Sequence, residues 1–300
     1  MSQAGAGISN ERLGLQAGTL ALLAALLWGG NSVFIKLGLE GVPPLAMAGI
    51  RFVLGLVVVW AAALFSGISL RPGALEWRGL GGLGALFVAQ IVLLNQGTYF
   101  TTAARSTVLM STYPFFTAFF AHFFVPGDRL STPKVVGLVL SFAGVVLIFA
   151  ESLALPGIYL LGDVLVLFSG ILLGLRQVVI KRLVHGMHPY KVLFWQSLLS
   201  LPVFWAFSAV FERDAAYSWT PPVLGAILYQ GVVVAGLCFI IWVSLMKRHS
   251  ASRLGAFGFA TTVCGVLLSA LLLDEALSWL LLLSTVLVAA GIVVVNREDD

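Results

Sequence analysis

Trp28, Asn31 and Ser32 share one helical face inside an apolar stretch that is long enough to cross a lipid bilayer. Their i, i+3 and i+4 spacing brings the three side chains together on neighbouring turns. Polar groups are costly against lipid, so this face is expected to point into the protein or into a wet cavity. The amide and hydroxyl could bond a solute, and the Trp28 indole could stack against an aromatic or methylene-rich one. The pattern predicts a binding surface for a small molecule.

Other apolar stretches carry further candidates for the same surface. Asn95, Gln96 and Tyr99 fall within an arc of about 100° on one helix, whereas Gln90 is predicted to point elsewhere. The remaining candidate binding residues are Tyr113, Arg176, Trp195, Tyr229 and Gln230. Amides, hydroxyls and aromatic rings suit a small molecule with an apolar body and a polar end. The alternative is that they only join neighbouring helices, at about 0.6 to 2 kcal/mol for each hydrogen bond.

Charged side chains in these stretches allow more than one interpretation. Arg51 and Arg176 could hold a substrate carboxylate with a forked guanidinium, but Arg176 could also extend to the membrane interface. Lys36 is expected to pair with Glu40 one turn later. His122 stands alone among phenylalanines, where it could carry a proton or satisfy a single hydrogen bond. If either arginine binds the solute, the solute is expected to bear a carboxylate.

Ten apolar stretches position these side chains, and no segment between them is long enough for a soluble domain. Each has about 18 to 27 residues, enough for a helix to cross about 30 Å of hydrocarbon. Hydrophobic residues make up 60% of the chain and charged residues 10%. The stretches are residues 16–38, 44–65, 79–100, 105–125, 132–150, 158–184, 188–211, 220–246, 251–273 and 276–296. Barrel strands would be shorter and alternate in polarity, so the predicted fold is an all-α integral membrane protein with ten transmembrane helices.

The basic residues predict the orientation in the membrane. With the N-terminus in the cytoplasm, the cytoplasmic segments carry about four times as many Lys and Arg residues as the external ones. Both termini are therefore expected in the cytoplasm, and Lys36, Arg105 and Arg213 are expected outside. The net charge of +4 reflects this bias and not nucleic-acid binding, because the basic residues are spread over the loops.

A weak internal repeat divides the chain into halves at residues 1–150 and 151–300. Residues 128–131 (DRLS) and 144–147 (GVVL) recur with the same spacing as residues 275–278 (EALS) and 291–294 (GIVV). Each half has five apolar stretches, an odd number, so the second copy is predicted to enter the membrane from the opposite side. Inverted repeats are typical of transporters, in which two equivalent halves exchange conformations around a central site.

Several short motifs resemble those of EamA-type members of the drug/metabolite transporter superfamily. The matching positions are Trp28–Ser32, Lys36, Arg51, Ser106, Pro114–Thr117, Asp128, Leu130–Ser131, Gly137 and Gly144, then Glu275, Leu277–Ser278 and Gly291. The resemblance covers essentially the whole chain and implies a ten-helix exporter of small metabolites. It also implies a central cavity between helices one, three, four, six, eight and nine. Thr261 departs from the pattern, because the repeat would place proline there.

The usual patterns for catalysis, ATP hydrolysis and metal binding are missing from the sequence. There is no Walker phosphate loop, and no nucleophile, base and orienting acid fall at one depth. His185 and His188 lie beside basic residues and are expected in a solvated loop rather than in a metal site. Cys238 and Cys264 are expected to be small core residues. No cofactor and no metal are therefore expected.

Together these features predict a secondary transporter that exports amino acids, above all aromatic and other apolar ones, across the bacterial inner membrane by alternating access. A facilitator is favoured over proton coupling, because the apolar stretches lack a carboxylate near mid-depth. One alternative is export of another small metabolite or a drug-like amphiphile, with or without proton coupling; the other is an intramembrane enzyme. The expected partners are the small-molecule substrate and the lipid bilayer, and the chain is expected to be a monomer or a homodimer.

Overall fold

The computed structural model describes residues 14–124, 131–154, 159–249, 254 and 257–295 of the 300-residue chain. Within these ranges the protein is built from helices and contains no β-strand. Most of the repeat motif at 128–131 lies outside the described residues, as do the basic residues Arg12, Arg129, Arg253 and Arg297 that contribute to the predicted orientation.

The helices follow the predicted apolar stretches closely. The first half forms α1 (Leu15–Gly29), α2 (Asn31–Gly38), α3 (Pro44–Phe65), α4 (Glu76–Phe100), α5 (Ala103–Met110), α6 (Tyr113–Phe124) and α7 (Thr132–Ala154). The second half forms α8 (Tyr159–Gly186), α9 (Pro189–Phe211), α10 (Pro221–Leu228), a π-helical segment (Tyr229–Cys238), α11 (Phe239–Arg248), α12 (Gly258–Leu273) and α13 (Trp279–Val295). The prediction of an all-helical protein is confirmed.

Seven helical runs in the described ranges are long and apolar enough to cross a membrane, when α1 with α2 and α10 through α11 are each counted as one run. The helices α12 and α13 are apolar but shorter. The fourth predicted stretch is divided between α5 and α6. The structure therefore supports a multi-pass membrane protein, while the count of ten spans stays a prediction.

Two of the predicted spans are interrupted, the first at a tertiary contact and the fourth ahead of a proline. The first breaks at Gly30, where a β-carbon would lie 2.9 Å from the hydroxyl oxygen of Tyr229 and 3.1 Å from the ring of Phe34. Glycine is needed there because the backbone approaches Tyr229 so closely. The fourth breaks at Ser111–Thr112, ahead of Pro114, which has no amide hydrogen with which to continue the helix. Both breaks fall next to predicted binding residues.

The π-helical segment was not predicted from the sequence. In the ten residues Tyr229–Cys238 the backbone hydrogen bonds join residues five apart instead of four. The segment packs tightly on α3, because a β-carbon on Gly231 would lie 2.5 Å from Leu54 and 3.0 Å from the carbonyl oxygen of Arg51. The turn of α3 that carries Arg51 is thus held against the second half of the chain.

Gly144 of α7 and Gly291 of α13, the matching glycines of the repeat, lie where these two helices touch. A β-carbon on Gly291 would lie 2.7 Å from the carbonyl oxygen of Gly137, and one on Gly144 would lie 3.0 Å from that of Ser284. Gly137 and Ser284 precede the two glycines by the same interval. The contact is therefore symmetric in the two helices, as a two-fold relation between the halves would require.

The buried core consists of two main clusters of apolar side chains. One packs α3, α4, α8, α9 and α11 around Phe52 and Phe87, and the other packs α5, α7, α8, α12 and α13 around Val108 and Ile148. Met110 packs against both clusters. Large apolar side chains also cover the outside of the bundle, including Phe142 and Leu271, which are 66% and 75% exposed. Contact with lipid accounts for this exposure.

The loops gather at two ends of the bundle. The proximal end holds the start of α1 and the loops at residues 66–75 and 187–188; the distal end holds those at 39–43, 101–102, 212–220 and 274–278. At the distal end the amide of Ser218 donates to the carbonyl of Gly41 at 2.8 Å. At the proximal end Lys191 pairs with Glu76 at 3.1 Å. That the proximal end faces the cytoplasm stays a prediction.

Candidate functional site

A cavity of about 110 Å³ lies inside the bundle and is lined by helices from both halves of the chain. Its polar and aromatic lining consists of Trp28, Asn31, Ser32, Arg51, Gln90, Thr107, Ser111, Tyr113, Arg176, Gln177, Gln196, Phe239, Trp242 and Thr261. The family resemblance implies a cavity between the first, third, fourth, sixth, eighth and ninth spans. The second span (α3) and the seventh span (α9) also contribute, through Arg51 and Gln196. Apolar walls with a few polar groups are typical of small-molecule sites.

Five of the predicted binding residues line this cavity. Trp28 faces it from α1, and Asn31 and Ser32 face it from the first turn of α2. Tyr113 reaches it from the first residue of α6, directly after the break in the fourth span, and Arg176 reaches it from α8. The structure thus brings these side chains together from four helices, and their role in binding a solute stays a prediction.

Three other predicted residues, Asn95, Tyr229 and Gln230, lie outside the cavity lining and join helices. Asn95 Nδ2 donates to the carbonyl oxygen of Pro44 at 2.9 Å, and Gln230 Nε2 donates to that of Asn31 at 2.6 Å. The hydroxyl of Tyr229 donates to a carbonyl oxygen near the end of α1. For these residues the structure favours the alternative that polar side chains hold neighbouring helices together.

Gln96, Tyr99, His122 and Trp195 also lie outside the cavity lining. Tyr99 is 49% exposed near the distal end of α4, and Gln96 is half-buried. Trp195 donates from Nε1 to the carbonyl oxygen of Leu70 at 2.7 Å. His122 is exposed near the proximal end of α6, with its ring against a neighbouring phenylalanine. A helical angle shows which residues share a face but not whether the face contacts protein, loop or lipid.

Gln90 points away from the Asn95 face, as predicted. It is Gln90, and not the Asn95 face, that lines the cavity. Its Nε2 donates to Ser169 Oγ at 2.9 Å, and its Oε1 accepts from Arg176 Nη1 at 2.8 Å. Ser169 Oγ donates in turn to the Gln90 carbonyl oxygen at 2.8 Å. The available signal was an isolated glutamine and an isolated arginine at depth in two apolar helices, since such groups need partners.

Arg51 and Arg176 bring two guanidinium groups to the cavity without a carboxylate partner. The two residues are only 2% and 5% exposed. Within the described part of the chain, the side chain of Arg51 makes no hydrogen bond, and that of Arg176 bonds only Gln90. No ion pair between described residues includes either arginine. Their unpaired N–H groups are strong donors, and a bound solute or water would satisfy them.

Aromatic rings pack against both guanidinium groups. Arg51 Cζ lies 4.6 Å from the ring centroid of Phe52, and Arg176 Cζ lies 4.9 Å from that of Phe87 and 5.6 Å from that of Phe239. Such contacts contribute about 0.5 to 2 kcal/mol each. They orient the planar groups, but a ring has no net charge and leaves the positive charge unbalanced.

Trp28, Phe239 and Trp242 form an aromatic wall on one side of the cavity. The ring centroids of Trp28 and Trp242 are 5.1 Å apart, and those of Trp28 and Phe239 are 5.9 Å apart, both in edge-to-face arrangements. Because Phe239 also contacts Arg176, the wall continues into the charged part of the site. An aromatic or branched apolar group bound against this wall would have its polar end near the guanidinium.

Neutral amides add further unpaired atoms to the lining. Asn31 Oδ1 is buried without a hydrogen-bond partner, and so are both Oε1 and Nε2 of Gln196. An unpaired buried amide is destabilising by about 1 to 3 kcal/mol, so these atoms are expected to bond a solute or water. Asn31 supplies an acceptor, and Gln196 supplies an acceptor and a donor.

At the distal end, Glu212 and Glu275 of the second half hold helix N-termini of the first half. Glu212 accepts from two amides in the first turn of α3 at 2.7 and 2.9 Å, and Glu275 accepts from two in the first turn of α5 at 2.6 and 2.9 Å. Free amides and the helix dipole make such positions favourable for carboxylates. The distal end is therefore tied across the two halves.

Lys36 and Arg105 also lie near the distal end, and the partner of Lys36 differs from the predicted one. Lys36 Nζ donates to three carbonyl oxygens at the C-terminal end of α4, at 2.6 to 3.1 Å, and not to Glu40. A cation is favourable there because of the helix dipole. Arg105, expected on the outside at the start of the fourth apolar stretch, is 4% exposed and pairs with Asp163 and Glu151 at 2.6 Å each. These two cations are structural.

His188 lies in the proximal loop before α9, where metal binding was considered unfavourable. Its Nδ1 accepts from the amide of Tyr190 at 3.3 Å, which caps the helix. Burial lowers the pKa of His188, and the positive charges of Lys247 and Lys191 lower it further. The neutral imidazole that a capping acceptor requires is therefore favoured. Among the described residues, no group of three His, Cys, Asp or Glu side chains could hold a metal ion.

The chain is similar to known membrane transporters over most of its length. The sequence profile of the EamA-like transporter family matches residues 16–150 and again residues 160–297. The "Probable amino-acid metabolite efflux pump" of Escherichia coli (strain K12) is 28% identical over 284 residues, which cover 92% of this chain and 93% of that protein. The "Uncharacterized transporter YoaV" of Bacillus subtilis (strain 168) is 24% identical over 277 residues, which cover 89% and 92%.

A solved crystal structure is also similar over nearly the full length. It has a TM-score of 0.71 at 22% sequence identity and covers 93% of this chain and 97% of its own, a likeness that shows the fold alone. The family assignment depends on the profile, whose two matches together extend over nearly all of the sequence. The protein belongs to the EamA-like transporter family, whose members are membrane transporters.

Proposed function

We propose that this protein is a secondary transporter that exports amino acids, with aromatic and other apolar ones favoured, by alternating access. The observation that carries the proposal is the pair of guanidinium groups of Arg51 and Arg176, unpaired by any carboxylate, beside an aromatic wall in a central cavity. A forked guanidinium is suited to a carboxylate. The aromatic wall is suited to an apolar side chain. Both groups occur together in aromatic and branched-chain amino acids.

The other lining groups fit the polar end of such a solute. Arg176 is oriented by its hydrogen bond to Gln90, which leaves Nε without a partner. Asn31 Oδ1 offers an acceptor to an N–H group of the solute, and Ser32 offers a hydroxyl. The similarity to an E. coli protein named as a probable amino-acid metabolite efflux pump supports the same class of solute.

We further propose that the chain forms ten spans arranged as two inverted five-helix repeats, residues 1–150 and 151–300. The two matches of one family profile support the division. The symmetric packing of Gly144 and Gly291 supports a two-fold relation between the halves. Under this arrangement the cavity lies between the repeats, where rocking of one against the other would alternate its access.

Facilitated export is favoured over proton coupling. Among the described residues the cavity lining includes no Asp, Glu or His, the groups that commonly carry protons inside transporters. His122, the candidate proton carrier, lies outside the lining. A gradient of the exported solute itself would then drive transport. The same lining holds no combination of nucleophile, base and acid, which makes an intramembrane enzyme the weaker alternative.

The proposed location is the bacterial inner membrane, with both termini in the cytoplasm. The excess of Lys and Arg in the loops of the proximal end supports this orientation. The distal end, which is tied across the two halves, would then face away from the cytoplasm. The proposed partners are the small-molecule substrate and the lipid bilayer, with a monomer or a homodimer as the transporting unit.

The proposal is tested by counterflow in liposomes that contain only the purified protein. Liposomes loaded with unlabelled phenylalanine should accumulate labelled phenylalanine saturably without a pH gradient. Flux only in the presence of a gradient would support a proton-coupled exporter. If folded protein moves no amino acid but moves a cationic amphiphile, the alternative of a drug-like solute replaces the proposal.

A further inference from the structure

The charged side chains of the cavity lining all have the same sign. Arg51 and Arg176 are the ionisable cations of the lining, and among its described residues there is no acidic group to balance them. The two guanidinium groups line the same cavity, so a solute that contacts one of them also lies in the field of the other. Their remaining contacts are with aromatic rings and the neutral Gln90 amide, which carry no net charge. The site thus holds two buried positive charges without compensation.

We propose that the site takes its solute as an anion, an apolar or aromatic carboxylic acid whose amino group is blocked or absent, in preference to the zwitterionic amino acid. This inference depends on the proposed function, because it concerns the same cavity and the same carboxylate. It identifies the charge state of the solute. Deaminated and N-acylated derivatives of apolar amino acids are the chemical class that fits.

The preference follows from charge balance. A zwitterion brings no net charge, so two guanidinium groups would stay uncompensated and its ammonium would lie near both of them. An uncompensated buried charge is strongly destabilising, and a like charge within a few ångströms adds repulsion. An anion neutralises one of the two charges and can lie between them. Removing the ammonium therefore removes a repulsive group and loses only hydrogen bonds to neutral amide oxygens, such as those of Asn31 and Gln196.

The geometry of the donors fits a carboxylate. Gln90 holds Nη1 of Arg176, so that its unpaired Nε is fixed in direction, and Arg51 has buried Nε and Nη1 groups without partners. By contrast, the unpaired acceptors of the lining are neutral amide oxygens on Asn31 and Gln196. An ammonium usually requires a carboxylate or several carbonyl oxygens to offset its desolvation. The lining is therefore prepared for a negative group and poorly prepared for a positive one.

Three solutes with one aromatic body test the inference. Phenylalanine is the zwitterion, 3-phenylpropionate lacks its ammonium, and phenethylamine lacks its carboxylate. Dissociation constants are measured by calorimetry on the purified full-length protein in detergent at pH 7. We expect 3-phenylpropionate to bind at least about tenfold more tightly than phenylalanine, and phenethylamine to bind most weakly. Phenylalanine binding as tightly as 3-phenylpropionate, or more tightly, would overturn the inference but leave the proposed function intact.

Variants connect the preference to the two charges. Arg51→Gln removes one positive charge, so the ratio of the two affinities should fall toward one. Arg71→Gln, at an exposed arginine of the proximal loop, should leave the ratio unchanged. A ratio that survives Arg51→Gln in folded protein would contradict the charge-balance argument. If folded wild-type protein binds neither carboxylate and shows no phenylalanine counterflow, the proposed function itself fails.

Discussion

Gln90 Oε1 accepts a hydrogen bond from Arg176 Nη1 at 2.8 Å, which joins a side chain of the first half of the chain to one of the second half inside the cavity. The Gln90 amide is itself fixed, because its Nε2 donates to Ser169 Oγ at 2.9 Å. Gln90 is neutral, so it orients the guanidinium without reducing its charge. Arg176 is thereby positioned with its charge available to a solute.

Replacing Gln90 by glutamate tests this positioning with almost no change in shape. In Gln90→Glu the new carboxylate would pair with Arg176 and compete with the carboxylate of the solute. We expect the affinity for 3-phenylpropionate to fall about 10- to 100-fold, the range for losing a hydrogen bond to a charged group. Calorimetry on the purified variant measures this change.

A matched control is Gln96→Glu, at a half-buried glutamine of the same helix outside the cavity lining. It adds the same charge to α4 and should change the affinity much less. Both variants are checked for folding by their thermal unfolding. Unchanged affinity in a folded Gln90→Glu protein would mean that Arg176 does not contact the solute carboxylate.

Replacing Trp28 by alanine should impair transport more than it impairs folding. Trp28 packs edge-to-face with Trp242 and Phe239 at one side of the cavity, so truncation removes part of the wall against which the apolar body would bind. We expect the KM for phenylalanine counterflow to rise about tenfold, while Trp28→Phe retains most of the activity. Trp60→Ala, at a 48% exposed tryptophan of α3, serves as the control. Normal transport by folded Trp28→Ala protein would remove Trp28 from the site.

The helical character of the fold could be predicted because length and hydropathy alone determine which segments can cross a bilayer. The break at Ser111–Thr112 also has a local signal, since Pro114 follows it. The π-helical segment Tyr229–Cys238 could not be predicted, because hydropathy does not reveal whether a backbone hydrogen bond joins residues four apart or five apart. The segment packs closely on α3 through Gly231 and Leu54, a tertiary contact that a hydropathy pattern does not record.

The site could be predicted only where residues close together in the sequence determine the geometry. Trp28, Asn31 and Ser32 lie close together along the chain, and they share the cavity. Asn95 belongs to an equally good helical face, yet it bonds the carbonyl oxygen of Pro44, because the rotation of α4 is set by its packing on other helices. The burial of Arg105 could not be predicted for the same reason, because its partners Glu151 and Asp163 are distant in sequence.

Replacing Arg105 by methionine should destabilise the protein. Arg105 pairs with Asp163 and Glu151 at 2.6 Å each while only 4% exposed, so its loss would leave two buried carboxylates without this partner. Breaking a buried pair in this way costs about 3 to 5 kcal/mol. We expect the melting temperature in detergent to fall by about 5 °C or more.

Arg213→Met provides the comparison for Arg105→Met. Arg213 pairs with Asp214 at 3.1 Å, but both side chains are mostly exposed, and exposed pairs contribute little. Its melting temperature should stay within about 1 °C of the wild type. Equal melting temperatures for the two variants would mean that the Arg105 cluster does not stabilise the distal end.

Neutralising Glu212 and Glu275 should loosen the distal end. Each carboxylate uses both oxygens to bind two amides of the other half, whereas a glutamine has one oxygen acceptor and no charge. These bonds join the two halves of the chain, so a movement that separates the halves at this end would break them. The double variant Glu212→Gln with Glu275→Gln should therefore expose distal residues that are buried in the wild type. We expect a cysteine placed at such a position to react with a water-soluble reagent about tenfold faster.

Ser106, which is 0% exposed and lies one turn into α5, can report this opening. Ser106→Cys is placed in a chain whose two natural cysteines, Cys238 and Cys264, are replaced by alanine, and its reaction with a hydrophilic maleimide is timed. Glu40→Gln, at an exposed glutamate of the same end, should leave the rate unchanged. A rate that is the same with and without the two carboxylates would show that they do not hold the distal end closed. A faster rate would show that the two carboxylates hold the distal end closed, because labelling requires Ser106→Cys to become accessible to water.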